Sequence, residues 1–229
     1  MKSILIIFAT ILMAQCTKKS VPAATETSET AIKYLALGDS YTIGESVSSG
    51  ERWPVQLTEQ LKNKGLEISS PQIVAQTGWT TDELNQALNG AQLPNDFDLV
   101  SLLIGVNNQF RGRSVTDFKR EFEPLLDRAI AFAGGNKSKV FVVSIPDYGF
   151  TPFGQGRNPE KIAKEIDEYN QVQKDICTSR NIAFFDITPI SREGLKDPEL
   201  VAGDGLHPSG KMYGQWVELM LNDVLTLAK

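Results

Sequence analysis

A serine attacks a carbonyl carbon only if a neighbouring group takes its proton, and this chain holds one residue of the usual kind. His207 is its single histidine, and imidazole suits the task because its unperturbed pKa is about 6.5. Asp204 precedes it in Asp204-Gly205-Leu206-His207-Pro208, near enough for a carboxylate to fix the imidazole tautomer and stabilise the imidazolium. Ser40 is the matching nucleophile. It follows an apolar run in Gly38-Asp39-Ser40-Tyr41, and a serine on a tight turn after a strand can present its hydroxyl where backbone N–H groups converge. Gly-Asp-Ser alone is ordinary turn chemistry, and a lone histidine is usually structural or exposed. Together they point to acyl transfer.

Such residues need elements to hold them. Apolar runs of strand length are predicted over Lys33–Leu37, Gln72–Ala75, Asp98–Ile104, Lys139–Ile145 and Ile182–Asp186. They are nearly continuous in hydrophobicity, as buried parallel strands are. Helices are predicted over Trp53–Lys64, Thr81–Leu88, Val115–Ala133, Pro159–Ser179 and Ser209–Leu227. Phe118, Phe122, Leu125, Leu126 and Ala129 fall at three- and four-residue spacing, and so do Ile162, Ile166, Tyr169, Val172 and Ile176, giving two stripes for a core. This alternation predicts an α/β domain with a parallel sheet of about five strands covered on both faces. Ligands in such folds sit beyond the carboxyl ends of the strands, where the reactive residues fall.

Gly38-Asp39-Ser40 near one end and Asp204-x-x-His207 near the other resemble the SGNH/GDSL hydrolases, whose four separated blocks supply Ser, Gly, Asn and His. The middle blocks are present as Gln76-Thr77-Gly78-Trp79 and Gly105-Val106-Asn107-Asn108, in order, over roughly residues 33 to 228. The resemblance implies a three-layer α/β/α, flavodoxin-like fold and a serine esterase of lipase or lysophospholipase type. It implies catalysis by Ser40, Asp204 and His207, with an oxyanion hole from the backbone N–H groups of Ser40 and Gly78 and the side-chain amide of Asn107. Two positions depart from the pattern. Asn108 stands where the family commonly carries Asp, which bears on loop structure rather than chemistry, and Tyr41 stands where Leu is commonest.

Other chemistries find less support. The segment from Gly38 to Thr42 lacks the second glycine of the α/β-hydrolase elbow, and Gly134-Gly135-Asn136-Lys137-Ser138 lacks phosphate-loop spacing. No metal and no cofactor is expected, since one histidine and one cysteine beyond the N-terminal segment cannot build a usual transition-metal site. Cys177 reads as a small apolar helix residue. A net charge of −5 without a long basic run argues against nucleic acid as a partner.

Residues 1–16 read as an export signal, with Lys2 before an apolar run too short to span a bilayer. Residues 17–31 read as a linker and 32–229 as a single domain, so a periplasmic or extracellular location is expected. Cys16 stands where a bacterial lipoprotein signal places its lipidated cysteine, although Gln15 is larger than usual there. Membrane anchoring, simple cleavage and an uncleaved segment all stay open. For substrate contact the aromatics that follow strand ends are the candidates: Trp79, Phe110, Tyr148 and Phe153. Arg111 and Arg113 read either as attractors of an anionic group or as solvated charge. A small or medium acyl ester of lipid or other small-molecule type is the expected substrate. A carbohydrate O-acetyl esterase, and an inactive binding protein on the same fold, are the alternatives.

Overall fold

In the computed structural model, which describes residues 31–229, the apolar runs become the strands of one sheet. The expected signal segment with Cys16, and all but the last residue of the expected linker, lie outside the described residues. In chain order the elements are β1 (Tyr34–Gly38), α1 (Ser40–Ile43), α2 (Trp53–Asn63), β2 (Gln72–Ala75), α3 (Thr81–Gly90), β3 (Leu99–Leu103) and α4 (Val106–Phe110). Then come α5 (Val115–Phe132), β4 (Val140–Val143), α6 (Pro152–Gln155), α7 (Pro159–Arg180), β5 (Ala183–Phe185), α8 (Thr188–Ser191) and α9 (Gly210–Leu227), with short 3₁₀ turns between some of them.

The strand order is β2-β1-β3-β4-β5 and every pair is parallel. The three central strands are buried along their whole length, which is why they read as unbroken apolar runs. At the edges, β2 and β5 are only partly covered. Helix α2 packs on α9, while α5 packs on both α3 and α7, so two sets of helices sandwich the sheet in three layers. The predicted stripe of α5 is buried from Phe118 to Ala129. Each such Phe or Leu stabilises the fold by about 1.5–3 kcal/mol, and the stack of Phe118 on Tyr169, 4.5 Å between centroids, adds about 0.5–1.5 kcal/mol. In α7, Val172 is only partly buried, whereas Gln173 is fully buried and donates from Nε2 to the Ile104 carbonyl at 2.9 Å. A polar side chain has entered the core because the carbonyl ending β3 needs a donor.

Helix starts follow local rules. Ser114, Asn158 and Ser209 cap α5, α7 and α9 by accepting from the backbone N–H groups of Asp117, Lys161 and Met212. Thr80 and Glu83 form a capping box on α3. Register then sets the site: Gly38, ending β1, lies level with Ala75 of β2 and Leu103 of β3. The loops after these three strands therefore emerge side by side, where the order of the sheet reverses. Among the described residues no helix is long and apolar enough to cross a membrane. Cys177 is buried, and burial pushes its thiol up to about 12.

Candidate active site

The turn after β1 is tight because Gly38 permits it. A Cβ there would lie 2.2 Å from Thr42 Oγ1 and 2.4 Å from the Leu103 carbonyl oxygen, so any side chain would push α1 off the sheet. Asp39 caps α1 by accepting from the Tyr41 N–H at 3.1 Å, while Thr42 and Ile43 donate to the Asp39 carbonyl. The N–H of Ser40, first in the helix, is left without a protein acceptor among the described residues. Asp39 itself is fully buried. Burial pushes its carboxyl up to about 7, against the backbone N–H groups of Tyr41, Asp39 and Gly105.

The loop after β2 carries Gly78 with φ +89°, and a Cβ there would meet only Arg111 Nη2, at 4.0 Å. Glycine is thus required by backbone conformation rather than by crowding. Arg111 pins this turn by donating to the Gly78 carbonyl at 2.6 Å while paired with Glu83 at 2.8 Å. The Gly78 N–H, like that of Ser40, has no protein acceptor among the described residues. Beyond β3, Asn107 donates from Nδ2 to the Trp79 carbonyl at 2.9 Å, which orients the amide and leaves its second N–H uncommitted.

Asn108, the departure from the family pattern, is fully buried and ties three helices together. Its Oδ1 accepts from the Thr81 N–H at 3.0 Å, and its Nδ2 donates to Thr81 Oγ1 and to Glu121 Oε2. Beside the Glu121 carboxylate an amide can donate, whereas an aspartate would set two negative charges together.

The loop before α9 folds around Asp204. Its Oδ1 accepts from the backbone N–H groups of Leu206 and His207, and its Oδ2 lies 2.6 Å from His207 Nδ1. Ser46 also donates to Oδ2, at 2.6 Å, from a backbone held at φ +64°. Partial burial raises the Asp204 carboxyl, but these bonds, led by that from Ser46, outweigh it and hold it well below the usual carboxylate range. The imidazole of His207 is buried, with Tyr41 edge-on to it at 5.5 Å.

These loops enclose one open cavity of about 140 Å³, lined in part by Ser40, Gly78, Asn107 and His207. Among the expected contact residues, Phe110, Tyr148 and Phe153 also line it. Trp79 does not. Its N–H closes a turn on the Gln76 carbonyl at 3.2 Å, and its ring lines a neighbouring depression with Glu83 and Arg111. Arg111 and Arg113 are saturated by Glu83, and by Asp82 and Glu121, so neither offers a free charge to a ligand. Sequence reasoning missed Ser46, whose hydroxyl carries no motif, and Leu206 and Val106, which complete the apolar lining. Among the described residues no group of three or more His, Cys, Asp or Glu side chains gathers as a metal site would require.

Comparison with known proteins bears on the family and the fold. The profile of the GDSL-like lipase/acylhydrolase family matches residues 36–215. Among solved structures, a lipase/acylhydrolase from Enterococcus faecalis is similar at 23% identity, over 85% of this chain and 96% of that one, with a TM-score of 0.68. A psychrotrophic esterase from Pseudoalteromonas is similar at 16% identity, over 85% and 97%, with a TM-score of 0.61. An acetyl-xylooligosaccharide esterase from Geobacillus is similar at 20% identity, over 84% and 94%, with a TM-score of 0.64. At these identities the likeness shows a shared fold. No curated protein sequence gives a significant match.

Proposed function

The chain belongs to the GDSL-like lipase/acylhydrolase family, and on that premise we propose that it hydrolyses carboxylic esters with Ser40 as nucleophile, His207 as base and Asp204 as its orienting acid. One observation carries the reading: Ser40 and His207 face a single cavity, with Asp204 bonded to the opposite nitrogen of the ring. His207 Nε2 takes the proton of Ser40 Oγ as that oxygen attacks the carbonyl carbon. The tetrahedral oxyanion is received by the free N–H groups of Ser40 and Gly78 and by the Asn107 amide. The bond to the alcohol oxygen then breaks, and His207 returns its proton to that oxygen. A water deprotonated by His207 attacks the acyl-serine in turn, releasing the acid and restoring Ser40. Asp204, held low by its hydrogen bonds, stays ionised throughout.

The apolar wall from Val106, Phe110, Tyr148, Phe153 and Leu206 suits a small or medium acyl chain. A second reading, removal of acetyl groups from carbohydrate, is favoured by the likeness to the acetyl-xylooligosaccharide esterase. The apolar run before Cys16 supports an exported enzyme, with lipid attachment at Cys16, simple cleavage or an uncleaved segment as its forms. The test is hydrolysis of a p-nitrophenyl ester series from acetate to decanoate, beside folded Ser40→Ala. A loss of about a thousandfold or more in the variant is expected. Equal inertness of wild type and variant on every ester, acetylated glycans included, would overturn the assignment.

A further inference from the structure

Beside the cavity, against two of the rings that line it, sits a cation unlike the saturated Arg111 and Arg113. Arg157 follows α6 on an exposed stretch and, among the described residues, closes no ion pair. Its guanidinium lies over two aromatic rings instead, 4.9 Å from the centroid of Phe110 and 4.5 Å from that of Phe153. Both rings line the cavity that holds Ser40 and His207, and both stay partly open to solvent, Phe110 at 47% and Phe153 at 36% exposure. The Arg157 charge also reaches the Tyr148 phenol, drawing it down against the burial that pushes it up.

A guanidinium held over ring faces by its charge forms no N–H···O bond to them, so its N–H donors remain for an acceptor. Stacking also narrows the rotamers that an exposed arginine samples, which lowers the entropy lost when an anion docks. In a chain of net charge −5, Arg111, Arg113, Arg120, Arg180 and Arg192 hold carboxylates, Arg128 bonds Asn85 and Asn89 and Arg52 is half-buried. Arg157 is thus the exposed arginine without a carboxylate among the described residues, and its place beside the cavity suits a ligand. The cavity wall is apolar and a cation stands beside it, which together describe an amphiphile.

We propose that Arg157 reads an anionic group on the substrate: the ester has an apolar arm for the cavity and a phosphate or carboxylate set apart from the scissile carbonyl. This rests on the ester-hydrolase reading and names the substrate class of that same site.

The test compares two matched pairs of esters in wild type and Arg157→Gln. The first is p-nitrophenyl butyrate against the mono-p-nitrophenyl ester of glutaric acid, and the second is a monoacylglycerol against the acylglycerol phosphate of equal chain length. In wild type the charged partner of at least one pair should have the higher kcat/KM, and Arg157→Gln should cut that charged-to-neutral ratio about tenfold. The pair that responds tells carboxylate from phosphate. Ratios unchanged by the substitution in both pairs would overturn the proposal, while Ser40-dependent turnover of the neutral esters would keep the hydrolase reading standing. If no ester is turned over, calorimetric binding of octyl phosphate decides. Binding at least tenfold weaker in Arg157→Gln supports the anion site, and equal affinity refutes it.

Discussion

The floor of the cavity and its rim are built on different principles. On the floor, the side chains that hold the loops in place are committed. Asp204 accepts from Ser46, His207 and two backbone groups, Asn107 is braced on the Trp79 carbonyl, and Asn108 knits α3, α4 and α5. The backbone N–H groups of Ser40 and Gly78 have no protein acceptor among the described residues, as the proposed oxyanion hole requires. At the rim, the Phe110 and Phe153 rings are tilted against each other with centroids 6.3 Å apart, and the Arg157 guanidinium lies over both. A preorganised floor serves a transition state whose charge is the same for every ester. A rim held by aromatic and cation–π contacts can change its residues without disturbing that charge, so it is where we propose that substrates are told apart. Substitutions on the floor should therefore slow all esters alike, and those at the rim should change the ranking among esters.

The sharpest break of this contrast beyond Ser40 itself is Asn107→Ala. It should lower kcat by about 10²–10³-fold across the whole p-nitrophenyl series, with chain-length preference retained. A changed preference would mean that floor and rim are not separate.

Ser46→Ala comes next. The lost hydroxyl leaves Asp204 Oδ2 with His207 alone, and a hydrogen bond to a charged group contributes about 1.5–3 kcal/mol. Because Ser46 is exposed, a fall of about tenfold in kcat with unchanged KM is expected. A rise in KM instead would place Ser46 in substrate binding.

The smallest effect concerns stability. Asp39 is buried under the floor with its carboxyl raised to about 7, so the fold favours its neutral form. The stability this confers is full below the ordinary carboxylate pKa, about 3.9, and is lost as pH rises towards 7. Asp39→Asn cannot ionise, so its Tm should gain on wild type by a few degrees between pH 5 and pH 8. A constant difference across that range would show that Asp39 does not titrate there. The rim guanidinium stays charged at any such pH and adds nothing to this dependence.

Much of the floor was legible before any coordinates. Asp204 and His207 are neighbours in sequence, and a helix start beside them fixes their approach within one loop. Gly38 and Gly78 announce turns because only glycine tolerates the crowding of the first and the positive φ of the second. The strands were legible to within about two residues because an apolar run buried on both faces reports its own burial. Short α1 and α4 were not, since four or five residues are too few to show a helical period. Trp79 was expected in the cavity on its position after a strand, but the direction of a ring beyond a turn depends on how that turn closes.

Periodicity and local motifs thus determined the α/β class, the core stripes and the order of the four motif blocks, because each depends on residues a few positions apart. Only the tertiary structure decided which charges are spent and which are free. Ser46 reaches Asp204 across 158 positions, Asn108 finds Glu121 on another helix, Arg111 and Arg113 meet their carboxylates, and Arg157 meets two rings. Those partnerships are set by which loops the parallel sheet brings out side by side, and nothing in the spacing of residues along the chain encodes that neighbourhood.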